Sequence, residues 1–179
     1  MLSGGGANGL AEIPLLEALE EEGIHPDMVI GVSMGAIIGS LYASGYSPKE
    51  IRELMIRLDI PGLLNQSSSA IKALSPIPQK PYLANYASIN FSKKGIGSQS
   101  GLVGDQKITN MLAECLLKTS AIKNFDDFTI PFRCVSTDVF SGEKIVSDSG
   151  SLIMAVRRSM SVPLIFSPFP TEDGSLAYD

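Results

Sequence analysis

Apolar positions change their period several times along the first sixty residues, and each change predicts an element. From Ala11 to Glu22, the residues Ile13, Leu15, Leu16 and Leu19 recur at near-helical spacing. The charged run Glu20-Glu21-Glu22 and the stop at Gly23 close this first predicted helix. Pro14 lies inside it, and a proline beyond the first turn removes a backbone hydrogen bond, so regular helix is expected to begin late. Met28-Val29-Ile30 predicts a short strand, and Ala36, Ile37, Ile38, Leu41 and Ala43 predict a buried helix that ends at Gly45. Ser47-Pro48-Lys49-Glu50 combines an N-cap, a proline at the first helical position and a capping-box glutamate. Ile51, Leu54, Met55 and Leu58 then share one face of the helix that follows. The order is helix, strand, tight turn, helix, and a strand ahead of Gly4 would complete a βαβ unit with a parallel sheet buried on both faces. Only Met1-Leu2-Ser3 precede Gly4, so the chain is expected to be a segment of a longer one.

From about 61 to 104 the pattern breaks into short apolar pieces between Ser67-Ser68-Ser69, three prolines and several glycines, with one possible strand from Ala84 to Phe91. An irregular insertion of this length in a compact domain is expected to be a lid or binding loop. Regular periodicity returns with a helix capped by Asp105 and carrying Ile108, Met111, Leu112, Cys115 and Leu116. Phe132 to Val135 and Lys144 to Val146 read as partner strands about a Ser141-Gly142 turn. Ser149 or Ser151 opens a last helix with Leu152, Ile153, Val156 and Met160, stopped by Pro163. A strand-like run from Leu164 to Phe169 follows, and Asp173-Gly174 reads as a hairpin turn between 168–170 and 176–178.

Composition narrows the picture. With 179 residues, 44% hydrophobic and 18% charged, the chain suits one compact domain spanning 1–179. A net charge of −5, with 14 basic residues that form no long run, argues against a nucleic-acid partner. No stretch has the pattern of a signal peptide or the length of a spanning helix, so the chain as given is expected to be soluble, with its compartment open. Cys115 and Cys134 fall on buried faces and are expected to be free thiols. His25 is the single histidine; it reads as a turn residue, and a metal site would need more ligands.

Two glycine motifs carry candidate chemistry. Gly4, Gly6 and Gly9 fit the spacing of a dinucleotide-binding loop, in which backbone N–H groups face negative charge at a helix start. Such a fold wants an acidic residue at the far end of the second strand, whereas Asp27 stands before it. Gly31-Val32-Ser33-Met34-Gly35 is G-x-S-x-G between a strand and a helix, the setting in which a sharp turn lifts a nucleophilic Ser33 hydroxyl out of the sheet. Serine needs a base. His25 precedes Ser33, so a Ser-Asp-His order is unavailable, and the base is a carboxylate or lysine unless it lies beyond residue 179.

Gly4-Gly5-Gly6-Ala7-Asn8-Gly9, the Ser33 elbow, Arg158-Ser159-Met160-Ser161-Val162-Pro163 and the terminal Asp179 occur in the order found in the patatin-like phospholipases, and the chain resembles that family over essentially its entire length. The resemblance implies a three-layer α/β/α sandwich with a mainly parallel central sheet. It implies a Ser33–Asp179 dyad in which Ser33 attacks an ester carbonyl and Asp179 takes its proton. Gly4, Gly5 and Gly6 would supply oxyanion-hole N–H groups, with Met34 as helper; no cofactor or metal is implied. The partner would be a lipid or phospholipid at a transient membrane or micelle surface. Asn8 stands where many members carry Arg or Lys, and Asp138 is a reserve candidate for the acid. A nucleotide-binding α/β protein and a catalytically silent lipid-binding domain are the alternatives. Oligomeric state, acyl-chain preference and headgroup preference are not fixed by the sequence.

Overall fold

The computed structural model describes residues 1–58, 90–92, 95–97, 105–162, 166, 168–171 and 174–179. The expected lid at 61–104 lies outside them, apart from two short strands, as do Asp173 and most of the run before Phe169. The chain opens with a 3₁₀ segment, Gly6–Ala11, and becomes α-helical only at Glu12, giving α1, Glu12–Glu21. Pro14 is its third residue, within the first turn, where the missing N–H has no intrahelical partner to lose, so the expected delay does not occur. Ile13 and Leu16 are buried, but Leu15 is 54% exposed, contrary to expectation. At about 100° per residue Leu15 lies about 200° round from Ile13, on the opposite face.

β1, Val29–Val32, leads into α2, Met34–Ala43, in which all ten residues are buried. Fully burying a side chain such as Ile38 or Leu41 contributes roughly 1.5–3 kcal/mol, so α2 anchors the core. α3, Pro48–Arg57, has the predicted cap: the Glu50 N–H donates to Ser47 Oγ at 3.3 Å and the Ser47 N–H to Glu50 Oε2 at 2.8 Å. β2, Asn90–Ser92, and β3, Gly95–Gly97, form a separate antiparallel pair. After them come α4, Asp105–Cys115, then β4, Phe132–Asp138, and β5, Lys144–Ser147. The last elements are α5, Leu152–Ser159, β6, Phe169–Pro170, and β7, Leu176–Tyr178.

The main sheet is organised around β4. β1 runs parallel to it, with Val32 opposite Val135, and Leu2 bridges Gly31 in parallel on the other side of β1. Its N–H donates to the Ile30 carbonyl at 2.8 Å and its carbonyl accepts from the Val32 N–H at 3.1 Å. The fold is α/β as expected, yet parallel pairing among the described strands is confined to Leu2, β1 and β4. β5 and β7 both pair antiparallel with β4, and β6 with β7, so this sheet is mixed. The reason is local: a tight turn at 139–143 can return a strand only antiparallel. Cys115 and Cys134 are buried and free, as expected.

Candidate active site

Strand register brings the two ends of the site together. On β4, Thr137 pairs with Lys144 of β5 and also with Tyr178 of β7, so β5 and β7 flank β4 on opposite sides. Cys134 and Val135 pair with both β1 and β5, which puts β1 on the same side as β7. β1 and β7 therefore approach each other end to end along one edge of β4. The residue after Val32 and the residue after Tyr178 both fall level with Ser136, and those residues are Ser33 and Asp179.

Across this junction the Ser33 side chain lies near enough to the Asp179 carboxyl group to influence its titration. Burial raises the Asp179 pKa above the ordinary carboxylate value, and the Ser33 hydroxyl opposes that rise. The Asp179 N–H donates to the Ser161 carbonyl at 3.1 Å, fixing the backbone at the end of β7. Ser33 itself is buried and has φ 53° and ψ −121°, the single positive φ at a non-glycine among the described residues. Such a conformation costs of order 1–3 kcal/mol and persists only where its surroundings hold it. Here the Ser33 carbonyl accepts from Ala36 and Ile37 N–H at 2.9 and 3.2 Å, and its N–H donates to Ser159 Oγ at 2.9 Å. Ser159 Oγ in turn donates to the Val135 carbonyl at 2.5 Å.

The glycine loop lies directly against this elbow. A Cβ on Gly4 would sit 3.0 Å from Ser33 Cβ and 3.7 Å from its Oγ. Gly5 and Gly6 have φ of 147° and 56°, left-handed backbone that favours glycine. Met34 is the first residue of α2 and Gly6 the first of the 3₁₀ segment, positions whose N–H groups have no carbonyl partner within their helix. By contrast the Gly35 N–H is committed to the Ser3 carbonyl at 3.1 Å. Gly35 also has no room for a side chain, since a Cβ would come within 2.5 Å of the Leu2 carbonyl carbon and oxygen. Behind the loop, the Ser3 N–H and hydroxyl both donate to Glu12 Oε1, at 2.5 and 3.2 Å.

Glu12, Ser159 and Ser161 were not singled out by residue chemistry. The two serines lie in the Arg158–Pro163 run on which the family resemblance rests, and both are completely buried. Asp138 does not face Ser33: its carboxylate accepts from Phe140 and Ser141 N–H at 2.9 and 2.7 Å, which lowers its pKa and closes the β4–β5 turn. His25 is exposed ahead of β1, and Asp27 lies in the bend at the same end of that strand, away from the glycine loop. Asn8 is exposed, and its N–H donates to the Gly5 carbonyl at 3.1 Å.

A family model described as patatin-like phospholipase matches residues 1–178. The chain is 31% identical over 180 residues to the uncharacterized protein YqhO of Bacillus subtilis, covering 94% of this chain and 56% of that one. It is 31% identical to the patatin-like phospholipase domain-containing protein ZK370.4 of Caenorhabditis elegans, covering all of this chain and 11% of that one. It is 27% identical to the lysophospholipase nte1 of Emericella nidulans, covering 100% of this chain and 10% of that one. The chain thus spans about half of the first relative and about a tenth of the other two. Among solved structures, VipD from Legionella pneumophila aligns over 98% of this chain and 44% of its own, with TM-score 0.57 at 18% identity. The type III effector protein ExoU aligns over 94% of this chain and 42% of its own, with TM-score 0.50 at 21% identity.

Proposed function

The chain belongs to the patatin-like phospholipase family, and from that premise we propose that it is a serine acyl hydrolase of lipid esters, of phospholipase A or lysophospholipase type, working through Ser33 and Asp179. Ser33 Oγ attacks the ester carbonyl carbon while its proton passes to the Asp179 carboxylate. The carbonyl oxygen becomes the oxyanion and takes hydrogen bonds from the N–H groups of the Gly4–Gly6 loop, with Met34 assisting. Collapse of the tetrahedral intermediate expels the alcohol, which leaves with the proton from Asp179. Water then attacks the acyl-enzyme, Asp179 again takes the proton, and the fatty acid is released as Ser33 is restored.

The observation that carries this reading is the strand register that sets Asp179 level with Ser33, itself at a strained strand-to-helix elbow. A carboxylate whose pKa is raised by burial is a stronger base than an exposed one, which suits it to accept a serine proton without a histidine. Preorganised N–H donors supply the other large contribution, since removing one typically costs ~100-fold or more in turnover. The relatives whose names include phospholipase or lysophospholipase support a lipid ester as substrate.

The test is mass spectrometry of the protein after reaction with a lipid-like fluorophosphonate, beside the Ser33→Ala and Asp179→Asn variants, together with fatty-acid release from phospholipid. A single adduct on Ser33 that forms far more slowly in Asp179→Asn is the expected outcome. Hydrolysis that survives Ser33→Ala would overturn the assignment. Absence of any adduct in a folded protein would favour the silent lipid-binding domain.

A further inference from the structure

An open groove of about 290 Å³ runs between β5 and the β6–β7 hairpin. Its polar lining comes from Ser147, Asp148, Ser149, Thr171 and Ser175, and from Arg158 at the end of α5. Arg158 is only 6% exposed, an unusual setting for a guanidinium. Its one side-chain hydrogen bond among the described residues, from Nη2 to Ser147 Oγ, is long at 3.3 Å, and its buried Nε has no acceptor. No carboxylate among the described residues forms an ion pair with it. Asp148 lines the same groove but is exposed, accepts from Ser149 Oγ at 2.8 Å and directs its field toward Arg133, whose pKa it helps raise. Burying a cation with no ion-pair partner among the described residues is costly, and the open groove beside it gives an anion room to enter.

The groove is placed to serve the Ser33 site. Ile145, which also lines it, pairs with Ser136 on β4, and Ser136 is the residue level with both Ser33 and Asp179. Two strand spacings, ~10 Å, therefore separate Ile145 from the nucleophile, and Ser147, to which Arg158 is bonded, lies two residues farther along β5. A glycerol backbone with its phosphate can bridge such a gap. Arg158 is also the immediate neighbour of Ser159, which holds the Ser33 N–H. Resting on the hydrolase reading above, we infer that Arg158 and the surrounding hydroxyls form a phosphate subsite that selects phospholipids by their headgroup phosphate over neutral esters. The planar guanidinium fork suits two phosphate oxygens at once, and the Ser147 hydroxyl, which accepts from Arg158, can donate to a third.

The test measures binding in the full chain carrying Ser33→Ala, so it does not depend on turnover. Calorimetric titrations use monomeric dihexanoylphosphatidylglycerol, dihexanoylglycerol and inorganic phosphate, each with and without Arg158→Gln. The expected result is that Arg158→Gln weakens the phospholipid about 10-fold or more, the scale of a charge-assisted hydrogen bond, and leaves dihexanoylglycerol unchanged. Inorganic phosphate binding far more weakly than the phospholipid supports a headgroup as the source. Inorganic phosphate binding equally well would overturn the headgroup assignment. Equal binding of all three probes by Ser33→Ala with and without Arg158→Gln overturns the subsite. Because Arg158 has no ion pair among the described residues and one long hydrogen bond, Arg158→Gln is expected to melt no lower than its parent. A large fall in melting temperature would mark Arg158 as structural and also overturn the inference. Loss of ester hydrolysis in the native protein would count against the hydrolase alone, since these titrations read the subsite directly.

Discussion

Ser159→Ala tests the support of the nucleophile more directly than removal of the nucleophile itself. The substitution deletes one oxygen, which accepts the Ser33 N–H at 2.9 Å and donates to the Val135 carbonyl at 2.5 Å. Ser159 has no exposed surface, and the space left is smaller than the ~30 Å³ share of a water molecule, so solvent does not restore the bonds. The Val135 carbonyl keeps its second lone pair for the sheet, but the Ser33 N–H is left buried and unpaired, at a cost of roughly 1–3 kcal/mol. Taking about 2 kcal/mol, a domain of this size should melt about 4–8 °C lower. The same N–H bond helps hold Ser33 at φ 53°, a conformation worth of order 1–3 kcal/mol in strain. Released, the elbow relaxes and moves Oγ away from both Asp179 and the glycine loop, where a shift of ~1 Å costs on the order of 100-fold. We expect kcat for a soluble ester to fall about 10- to 100-fold with little change in KM, measured well below the melting transition. Ser47→Ala is the control: loss of a cap costs ~1 kcal/mol, yet that cap touches only α3, so kcat should not move. A Ser159→Ala protein that melts within about 1 °C of the parent and turns over within about twofold of it would refute the reasoning.

Three further outcomes follow from the same contacts. Because burial raises the Asp179 pKa, the acid limb of the kcat/KM profile should lie above the ordinary carboxylate range, and a limb at the usual value would deny Asp179 the role of base. The same shift makes the native state bind more protons than the unfolded one between the two pKa values, so stability falls as pH rises through that window; Asp179→Asn should therefore melt higher than the parent at neutral pH, an advantage that vanishes in acid below the unfolded pKa. Gly35→Ala should cost about 1–3 kcal/mol in a denaturant melt, because its Cβ would meet the Leu2 backbone at 2.5 Å, and backbone cannot swing aside as a side chain can. Cys134, with its thiol pushed up to about 12 by burial, should resist alkylation at pH 8 until the protein is unfolded; rapid labelling in the native state would contradict its packing.

What could be read in the sequence was what short spacing encodes. The capping box of α3, the stop at Gly45 and the strand-to-helix turn at Ser33 are each decided within a few residues, where local backbone chemistry dominates. Leu15 was misjudged because apolar character was counted without its angle around the helix axis. The antiparallel strands on β4 were legible singly, as a turn and a hairpin, but their assembly into one mixed sheet is a long-range property. The meeting of Ser33 and Asp179 was legible only through family resemblance. No local signal connects them, and their proximity depends on two registers measured against a third strand.

That dependence makes the end of α5 more than a connector. Ser33 and Asp179 are fixed to each other by the convergence of β1 and β7, and two short strand ends meeting end to end have no ladder bonds of their own across the gap. The bonds come instead from one piece of backbone. Ser159 Oγ holds the Ser33 N–H, the Ser161 carbonyl holds the Asp179 N–H, and Arg157 Nη1 donates to Ser161 Oγ at 2.7 Å. The Arg157 guanidinium is itself stacked near the Phe166 and Phe169 rings, at 5.2 and 5.1 Å, which ties this segment to β6. The run Arg157-Arg158-Ser159-Met160-Ser161 thus sends alternate residues to opposite tasks. Its serines hold the nucleophile and the carboxylate in register, while Arg158 faces the groove where a phosphate would bind. Any motion of this helix end moves Ser33, Asp179 and the groove together, so the geometry for attack and the geometry for headgroup recognition are set by the same five residues.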